Sequence, residues 1–179
     1  MTYLQSKLSI EAYFCNGQCP LNGKITYLET GDTYEGQIDA QFMKSGKGVF
    51  NYKNGETFEG WFDNDQRHGQ GLHKYPNGDY YKGNFMRDKR HGYGIHFNAS
   101  THEIYDGSWR DDERNGEGVL ILADGTERRG TWRGLSIIGK TATEKPPPKQ
   151  GLQGIEKLYQ WDKKSSNAKT VTKFLLNNV

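Results

Sequence analysis

The sequence predicts an all-β fold: an elongated single-layer antiparallel sheet of tandem β-hairpins, followed by a short α-helical C-terminal tail. Three observations predict the sheet. A glycine recurs at intervals of 24, 23, 24 and 23 residues, turn signals separate extended runs, and side chains alternate with period two around each glycine. The recurring glycines are Gly36, Gly60, Gly83, Gly107 and Gly130. A fixed short period is typical of an array in which one small unit stacks on copies of itself.

Four segments follow in order along the chain. Residues 1–33 are predicted to form an N-terminal cap with a degenerate half repeat, and residues 34–139 form the repeat array. Residues 140–150 are predicted to be a proline-rich linker, and residues 151–179 a helical tail. Terminal repeats of an array are usually atypical, so the degenerate repeats are assigned to its ends. Four clear repeats with these ends predict about nine or ten strands.

Each repeat is predicted to be a β-hairpin. An extended run that begins at Gly71 meets Pro76-Asn77-Gly78 and returns as a second extended run. Asn-Gly is the strongest short-range signal for a tight turn, in which both central residues adopt positive φ. The polar links between hairpins, residues 63–69 and 87–92, are predicted to be solvent-facing loops.

The returning strands place two aromatic rows on one face of the sheet. Period two puts Tyr81, Gly83 and Phe85 on the same face, where the glycine leaves room for a ring to lie on the backbone. The first row is Tyr34, Phe58, Tyr81 and Tyr105, and the second is Phe62, Phe85, Trp109 and Trp132.

The composition agrees with a thin, soluble sheet. Of the 179 residues, 33% are hydrophobic and 13% aromatic, and 23 are glycine. A disordered chain would lack the aromatic residues, and a thick-cored globule would hold more aliphatic ones. No run approaches the roughly 18 apolar residues of a membrane span, and residues 1–7 do not resemble a signal peptide. The sequence therefore predicts a cytoplasmic location.

The charge distribution argues against a nucleic-acid partner. Residues 34–139 carry 14 basic and 16 acidic side chains, whereas residues 140–179 carry 8 basic and 3 acidic ones. The repeats therefore have a net charge of −2 and the last segment has +5. A nucleic-acid-binding sheet would carry its basic stripe on the folded face.

The repeated pattern resembles the MORN repeat (membrane occupation and recognition nexus). It reads Tyr-x-Gly-x-Trp, a polar loop, His-Gly-x-Gly and an Asn/Asp-Gly turn, over about residues 34–134. The sequence departs from the family pattern at Ile38, Phe62 and Phe85, which stand where the family usually has Trp, and at Arg128, which stands where it has Tyr. The resemblance implies a non-enzymatic protein of ciliary, cytoskeletal or membrane-junction assemblies, or an accessory module beside an enzyme.

No catalytic, metal or cofactor site is predicted. His68 and His91 occupy matching positions one repeat apart, which corresponds to roughly 10 Å at two strands per repeat. Zinc ligands cannot straddle that distance. Cys15 and Cys19 have no further ligands at suitable spacing and are predicted to be reduced structural thiols, with a disulfide across the short loop as the alternative. The acidic residues form no pair that would serve acid–base catalysis.

Two groups of residues are candidates for binding protein partners. The first comprises the two aromatic rows together with the loop arginines Arg67, Arg90 and Arg114. These rings are expected to form the core and to offer part of their surface to a partner as well. The second group lies on the tail: Leu152, Ile155, Leu158, Tyr159, Phe174 and Leu175. Their helical spacing fits a helix that folds back on the sheet and equally one that docks on another chain.

The leading functional hypothesis is a scaffold or adaptor subunit in the cytoplasm, at the cytoskeleton or cilium, with protein partners on its aromatic face. The ciliary part of this hypothesis rests on the family resemblance alone. A peripheral membrane module is the alternative, but membrane contact is not favoured because the repeats have no basic excess. An accessory subunit of an enzyme complex and a homodimer through the end strands also remain open.

Overall fold

The computed structural model describes residues 8–14 and 20–144, which form one open antiparallel sheet of twelve strands. The strands are β1 (Leu8–Phe14), β2 (Pro20–Tyr27), β3 (Thr33–Ile38), β4 (Lys44–Asn51), β5 (Thr57–Asp63), β6 (Gln66–Lys74), β7 (Tyr80–Met86), β8 (Lys89–Asn98), β9 (Glu103–Arg110), β10 (Glu113–Ile121), β11 (Glu127–Arg133) and β12 (Ser136–Glu144). Their order in the sheet is their order in the chain. The prediction of an all-β, single antiparallel sheet is confirmed.

The sheet has more strands than the nine or ten predicted. β1 and β2 form from the segment assigned to the N-terminal cap, and β12 runs to Glu144, past residue 140. β2 continues the repeat geometry because Gly23 pairs with Gly36 and Ile25 pairs with Tyr34. The tail, with Leu152, Ile155, Leu158, Tyr159, Phe174 and Leu175, lies outside the described residues, and so do Cys15 and Cys19.

The Asn-Gly and Asp-Gly pairs close hairpins through a different turn from the one predicted. After β4, the Gly55 N–H donates to Tyr52 O (3.0 Å), and the Tyr52 N–H donates to Glu56 O (2.9 Å). Gly55 has a φ of 91°, whereas Asn54 is not among the positive-φ residues. This is a three-residue loop in which a type I turn precedes a left-handed glycine. The equivalent glycines are Gly78 and Gly125.

The links predicted to be loops are two-residue turns instead. Both residues have positive φ in Asn64–Asp65 (48° and 66°), Arg87–Asp88 (50° and 67°) and Asp111–Asp112 (50° and 71°). Two positive φ values define the type I′ turn, whose twist matches that of the flanking strands. The strands therefore extend to the turn itself, and the predicted loop at 63–69 contains the end of β5 and the start of β6.

A row of paired glycines runs across the sheet beneath the aromatic rings. Gly83 pairs with Gly71 on one side and with Gly94 on the other. A Cβ added at Gly94 would lie 2.5 Å from Tyr81 Cζ, so the tyrosine ring lies directly on the backbone of the next strand. The prediction that these glycines make room for the rings is confirmed.

The rings pack edge to face in a continuous zigzag, which we call the aromatic ladder. Tyr81 contacts Phe85 (centroids 5.1 Å apart) and Trp109 (5.3 Å) at nearly perpendicular angles. The members in order of contact are Tyr34, Phe62, Phe58, Phe85, Tyr81, Trp109, Tyr105 and Trp132. Each such pair adds about 0.5–1.5 kcal/mol beyond its area burial. The Tyr81 hydroxyl donates to Asn84 O (3.0 Å), and Trp109 Nε1 donates to Gly94 O (3.0 Å).

Candidate functional site

The aromatic residues predicted to anchor a partner are the core of the protein. Tyr34, Phe58, Tyr81 and Tyr105 have no exposed surface, and Phe62, Phe85, Trp109 and Trp132 are also buried. They touch one another and the glycine row, so no ring is left open to a second chain. The expectation that they also offer surface to a partner is therefore corrected. A single layer buries them because the glycines let the rings lie on the backbone and arginines cover six of the eight rings from above.

The cations that cover the aromatic ladder are the predicted arginines, whereas Lys44 lies over Tyr27 and Phe50 beside it. The Arg90 guanidinium lies 4.2 Å from the Trp109 ring centroid and 5.6 Å from that of Tyr81. Arg67 lies over Phe58 and Phe85 in the same way, 5.5 and 5.2 Å from their centroids. Cation–π contacts of this kind stabilise by about 0.5–2 kcal/mol, depending on how far the cation is desolvated. The arginines are thus lids on the aromatic ladder and do not frame an open groove.

Each of three cations is held by an aspartate of the next two-residue turn. Asp88 Oδ1 accepts from the Arg67 backbone N–H (3.0 Å) and from Arg67 Nε (3.1 Å). Asp112 Oδ1 accepts from the same two atoms of Arg90, at 3.0 and 3.1 Å. Asp65 pairs likewise with the Lys44 N–H (2.8 Å) and Nζ (3.0 Å). We call these pairs the cation–aspartate row.

Arg114 is the fourth cation of this row and has a different environment. Its guanidinium lies 4.6 Å from the Tyr105 centroid and 5.4 Å from that of Trp132. Within the described residues it forms no ion pair, and burial lowers the pKa of its guanidinium. The residue where the next aspartate would stand is Gly134, whose N–H donates to Arg114 O (2.8 Å).

His73 and His96 occupy equivalent positions one repeat apart, near Arg67 and Arg90, and pack against the aromatic ladder. Arg67 Nη1 donates to His73 Nδ1 (3.1 Å), so the proton is on Nε2, which donates to Glu56 Oε2 (2.9 Å). His73 is therefore neutral, and burial together with Arg67 lowers its pKa. Burial and the nearby Arg90 lower the pKa of His96 to about 4.

The free energy of unfolding is expected to decrease as the pH falls from about 6.5 toward 4. The unfolded chain binds a proton at His96 near its ordinary pKa, whereas the folded protein resists protonation until the pH approaches 4. The contribution is therefore complete above about pH 6.5 and lost below, on the order of 2 kcal/mol. A His96→Leu variant, which copies the residue type of Leu120 at the equivalent position, should flatten this part of the profile in urea unfolding at about pH 7 and pH 4.5. An unchanged profile would contradict the assignment to His96.

The opposite face of the sheet carries two exposed aromatic side chains on its central strands. Trp61 is 45% exposed and Tyr93 is 57% exposed. They point away from the aromatic ladder because they alternate with Phe62 and Gly94 along their strands. The aliphatic residues on the same face are half-buried: Val49, Leu72, Ile95 and Val119. Sequence reasoning did not single out Trp61 or Tyr93, although their position in the alternation would have placed them on the free face.

In the described part of the chain, no group of three or more His, Cys, Asp or Glu side chains is placed to hold a metal ion. Residues 8–14 and 20–144 likewise contain no helix with the length and hydropathy of a membrane span.

The comparisons with known proteins decide the identity of the repeat. The model of the MORN repeat family matches residues 43–57, 58–80, 81–97 and 105–127. The chain carries four MORN repeats. The matched segments fall within β4 to β11, where the glycine row, the aromatic ladder and the cation–aspartate row coincide. Members of the aromatic ladder open the second, third and fourth segments, at Phe58, Tyr81 and Tyr105.

No curated protein matches this MORN-repeat chain. Among solved structures, it is similar to the TCP domain of SAS-4 (dCPAP) of Drosophila melanogaster, solved in complex with a proline-rich motif of Ana2 (dSTIL). The identity is 16%, the match covers 70% of this chain and 84% of that chain, and the TM-score is 0.35.

Proposed function

We propose that the chain is a non-enzymatic scaffold or adaptor subunit that binds partner proteins along its sheet. MORN repeats suggest a protein-interaction or membrane-associated module. The observation that supports the proposal is that the two faces of the sheet differ in their role. One face uses its rings, glycines and cations to hold the sheet together, and the other leaves Trp61 and Tyr93 accessible. Tryptophan and tyrosine are the residues most enriched at the energetic centres of protein interfaces.

The geometry of the free face fits an elongated partner segment. Trp61 lies on β5 and Tyr93 on β8, three strand spacings apart, which corresponds to about 14 Å. Between them, Gln70 Nε2 donates to Asn84 Oδ1 (2.8 Å), so that neighbouring polar side chains satisfy each other. A segment that crosses the strands can therefore contact both aromatic residues while these two amide groups remain paired with each other.

The proposed location is the cytoplasm, at the cytoskeleton or in the cilium, within a larger assembly. The proposed location rests on analogy with other MORN-repeat proteins and not on any residue of this chain. A second copy of the chain that pairs through β1 or β12 would be a further protein partner, because each of these strands has one hydrogen-bonded neighbour in the described sheet.

Proximity labelling in ciliated cells tests the proposal with the full chain and a Trp61→Ala/Tyr93→Ala double variant. We expect the wild type to label axonemal or cytoskeletal proteins. The double variant should label them at least about tenfold less, since interface anchors contribute about 2 kcal/mol each. Leu28→Ala is the matched control, because Leu28 is exposed but lies in the turn between β2 and β3. Equal labelling by all three proteins would contradict binding on the free face.

Sedimentation with vesicles that contain anionic lipids distinguishes a peripheral membrane module from a protein scaffold. Vesicle binding by the wild type, without labelled protein partners, would favour a peripheral membrane module over a scaffold.

A further inference from the structure

The cation–aspartate row repeats one geometry three times. The N–H of the aspartate donates to the carbonyl of the cation, at 3.0 Å for Asp65, 3.0 Å for Asp88 and 3.1 Å for Asp112. The carboxylate then turns back and accepts from the N–H and the side chain of that same cation. Each aspartate has a φ between 66° and 71°. The row therefore defines where a carboxylate lies when it binds one of these cations.

Gly134 breaks the row at Arg114. Its backbone takes the place of the aspartate, since its N–H donates to Arg114 O (2.8 Å) and its φ is 58°. It has no side chain, and a Cβ added there would meet nothing within 4 Å. Among the described residues, Arg114 thus keeps the ring contacts of Arg67 and Arg90 but lacks their carboxylate, and open space lies where that group would come from.

We propose that the open position between Gly134 and Arg114 binds the carboxylate of an Asp or Glu side chain from a partner protein. The inference rests on the proposed function as a protein-binding scaffold and specifies the chemistry of one contact. The partner would complete the cation–aspartate row in trans, as Asp88 and Asp112 complete it within the chain.

The local charge favours a protein carboxylate over a phosphate group. Arg90, the nearest cation of the row, is already paired with Asp112. Glu103 acts on Arg114 electrostatically without forming an ion pair with it in the described structure. One partly compensated guanidinium matches a single negative charge, whereas phosphate groups usually require several positive donors. The burial that lowers the pKa of Arg114 also strengthens a contact with an incoming anion.

The residue beside the gap favours an acidic segment that also carries an apolar side chain. Leu135 follows Gly134 directly and is 87% exposed, the largest exposure among the described large hydrophobic residues. A partner with a leucine next to its acidic residue can cover Leu135 while its carboxylate reaches Arg114. The chain's own segment 145–179 is a poor occupant because it carries 7 basic and 2 acidic side chains.

The first arm of the test fills the position from within the chain. Gly134→Asp adds the missing carboxylate at a φ close to those of Asp65, Asp88 and Asp112. Gly134→Asn is the matched control, since it has the same shape and the same backbone strain without the charge. The readout is the Nε–H resonance of Arg114 in the NMR spectrum of the full chain. We expect Gly134→Asp, and not Gly134→Asn, to move that resonance toward the position of the Arg67 and Arg90 resonances.

The second arm supplies the carboxylate from outside. The probe is the blocked peptide acetyl-Gly-Leu-Asp-Leu-Gly-amide, compared with the same peptide containing Asn in place of Asp. In the wild type, the Asp peptide should move the Arg114 resonance saturably in the same direction, and the Asn peptide should not. Gly134→Asp should not respond, because its own carboxylate occupies the site. If Gly134→Asp does not fold, the comparison of the two peptides on the wild type decides.

Three results would overturn the proposal. The Asp peptide could cause no saturable shift, or inorganic phosphate at the same concentration could cause an equal one. The resonance could also lie at the paired position in the wild type and move on Glu156→Gln/Asp162→Asn, which would make the tail the occupant. The scaffold proposal is separable from these outcomes, because protein labelling that depends on Trp61 and Tyr93 can persist when the peptide does not bind.

Discussion

A Gly94→Ala variant is expected to lose about 3 kcal/mol or more of its free energy of unfolding, at or beyond the upper end for overpacked cores. The added methyl group would lie 2.3 Å from Tyr81 Oη, 2.5 Å from Cζ and 2.6 Å from Cε2. The ring cannot move aside, since Tyr81 is fully buried and its hydroxyl is bonded to Asn84 O. Urea unfolding followed by circular dichroism measures the loss.

Gly78→Ala is the matched control for this prediction. Gly78 lies in the turn that precedes β7, the strand of Tyr81, and needs glycine for a different reason, a φ of 91°. The nearest atom to an added Cβ is Ala99 Cβ at 3.1 Å. A left-handed alanine costs about 1–2 kcal/mol. A loss in Gly94→Ala no larger than in Gly78→Ala would show that the glycine row is not pressed against the rings.

Trp109→Ala is expected to cost about 3–5 kcal/mol of unfolding free energy, the range for removing a large aromatic side chain from a core. The variant would lose the edge-to-face contacts with Tyr81 and Tyr105, the bond from Nε1 to Gly94 O and the surface on which Arg90 lies. Thermal and urea unfolding measure the change, and cleavage in limited proteolysis should begin near β8 and β9 because repeats contact mainly their neighbours.

Trp61→Ala removes a tryptophan from the other face and serves as the comparison. Because Trp61 is half exposed, its loss should cost less than about 1 kcal/mol of stability. The Trp61→Ala variant should instead show reduced labelling of partner proteins. Unchanged stability in Trp109→Ala together with a large loss in Trp61→Ala would reverse the assignment of the two faces.

The core could be predicted from the sequence because its signal is local. Tyr81, Gly83 and Phe85 alternate within one strand, and period two alone places them on one face. The complete burial of the rings, with no surface left for a partner, could not be predicted in the same way. It depends on Gly94 in the next strand and on Arg90 above the rings, and neither contact follows from spacing within the strand.

The turns show a similar limit. Asn77-Gly78 is a strong local signal, yet it closes a three-residue loop, while Arg87–Asp88 forms the type I′ turn without glycine. Asp88 tolerates positive φ there as its carboxylate and N–H both bind Arg67, 21 residues earlier. A hydrogen bond over that sequence separation forms only in the folded sheet, so the residues next to Asp88 in the sequence do not indicate it. The same holds for Arg114, whose distinction from Arg90 lies in a glycine 20 residues later.

The agreement between strand order and chain order has a consequence for biosynthesis. In the described sheet, each strand meets its hydrogen-bonding partners among the segments made just before and just after it. The contact order of the sheet is therefore low for an all-β protein. Each described strand can pair as soon as the next strand has been synthesised. Hairpins can add one by one to a growing edge as the chain leaves the ribosome, which limits the time that unpaired strand edges are open to aggregation.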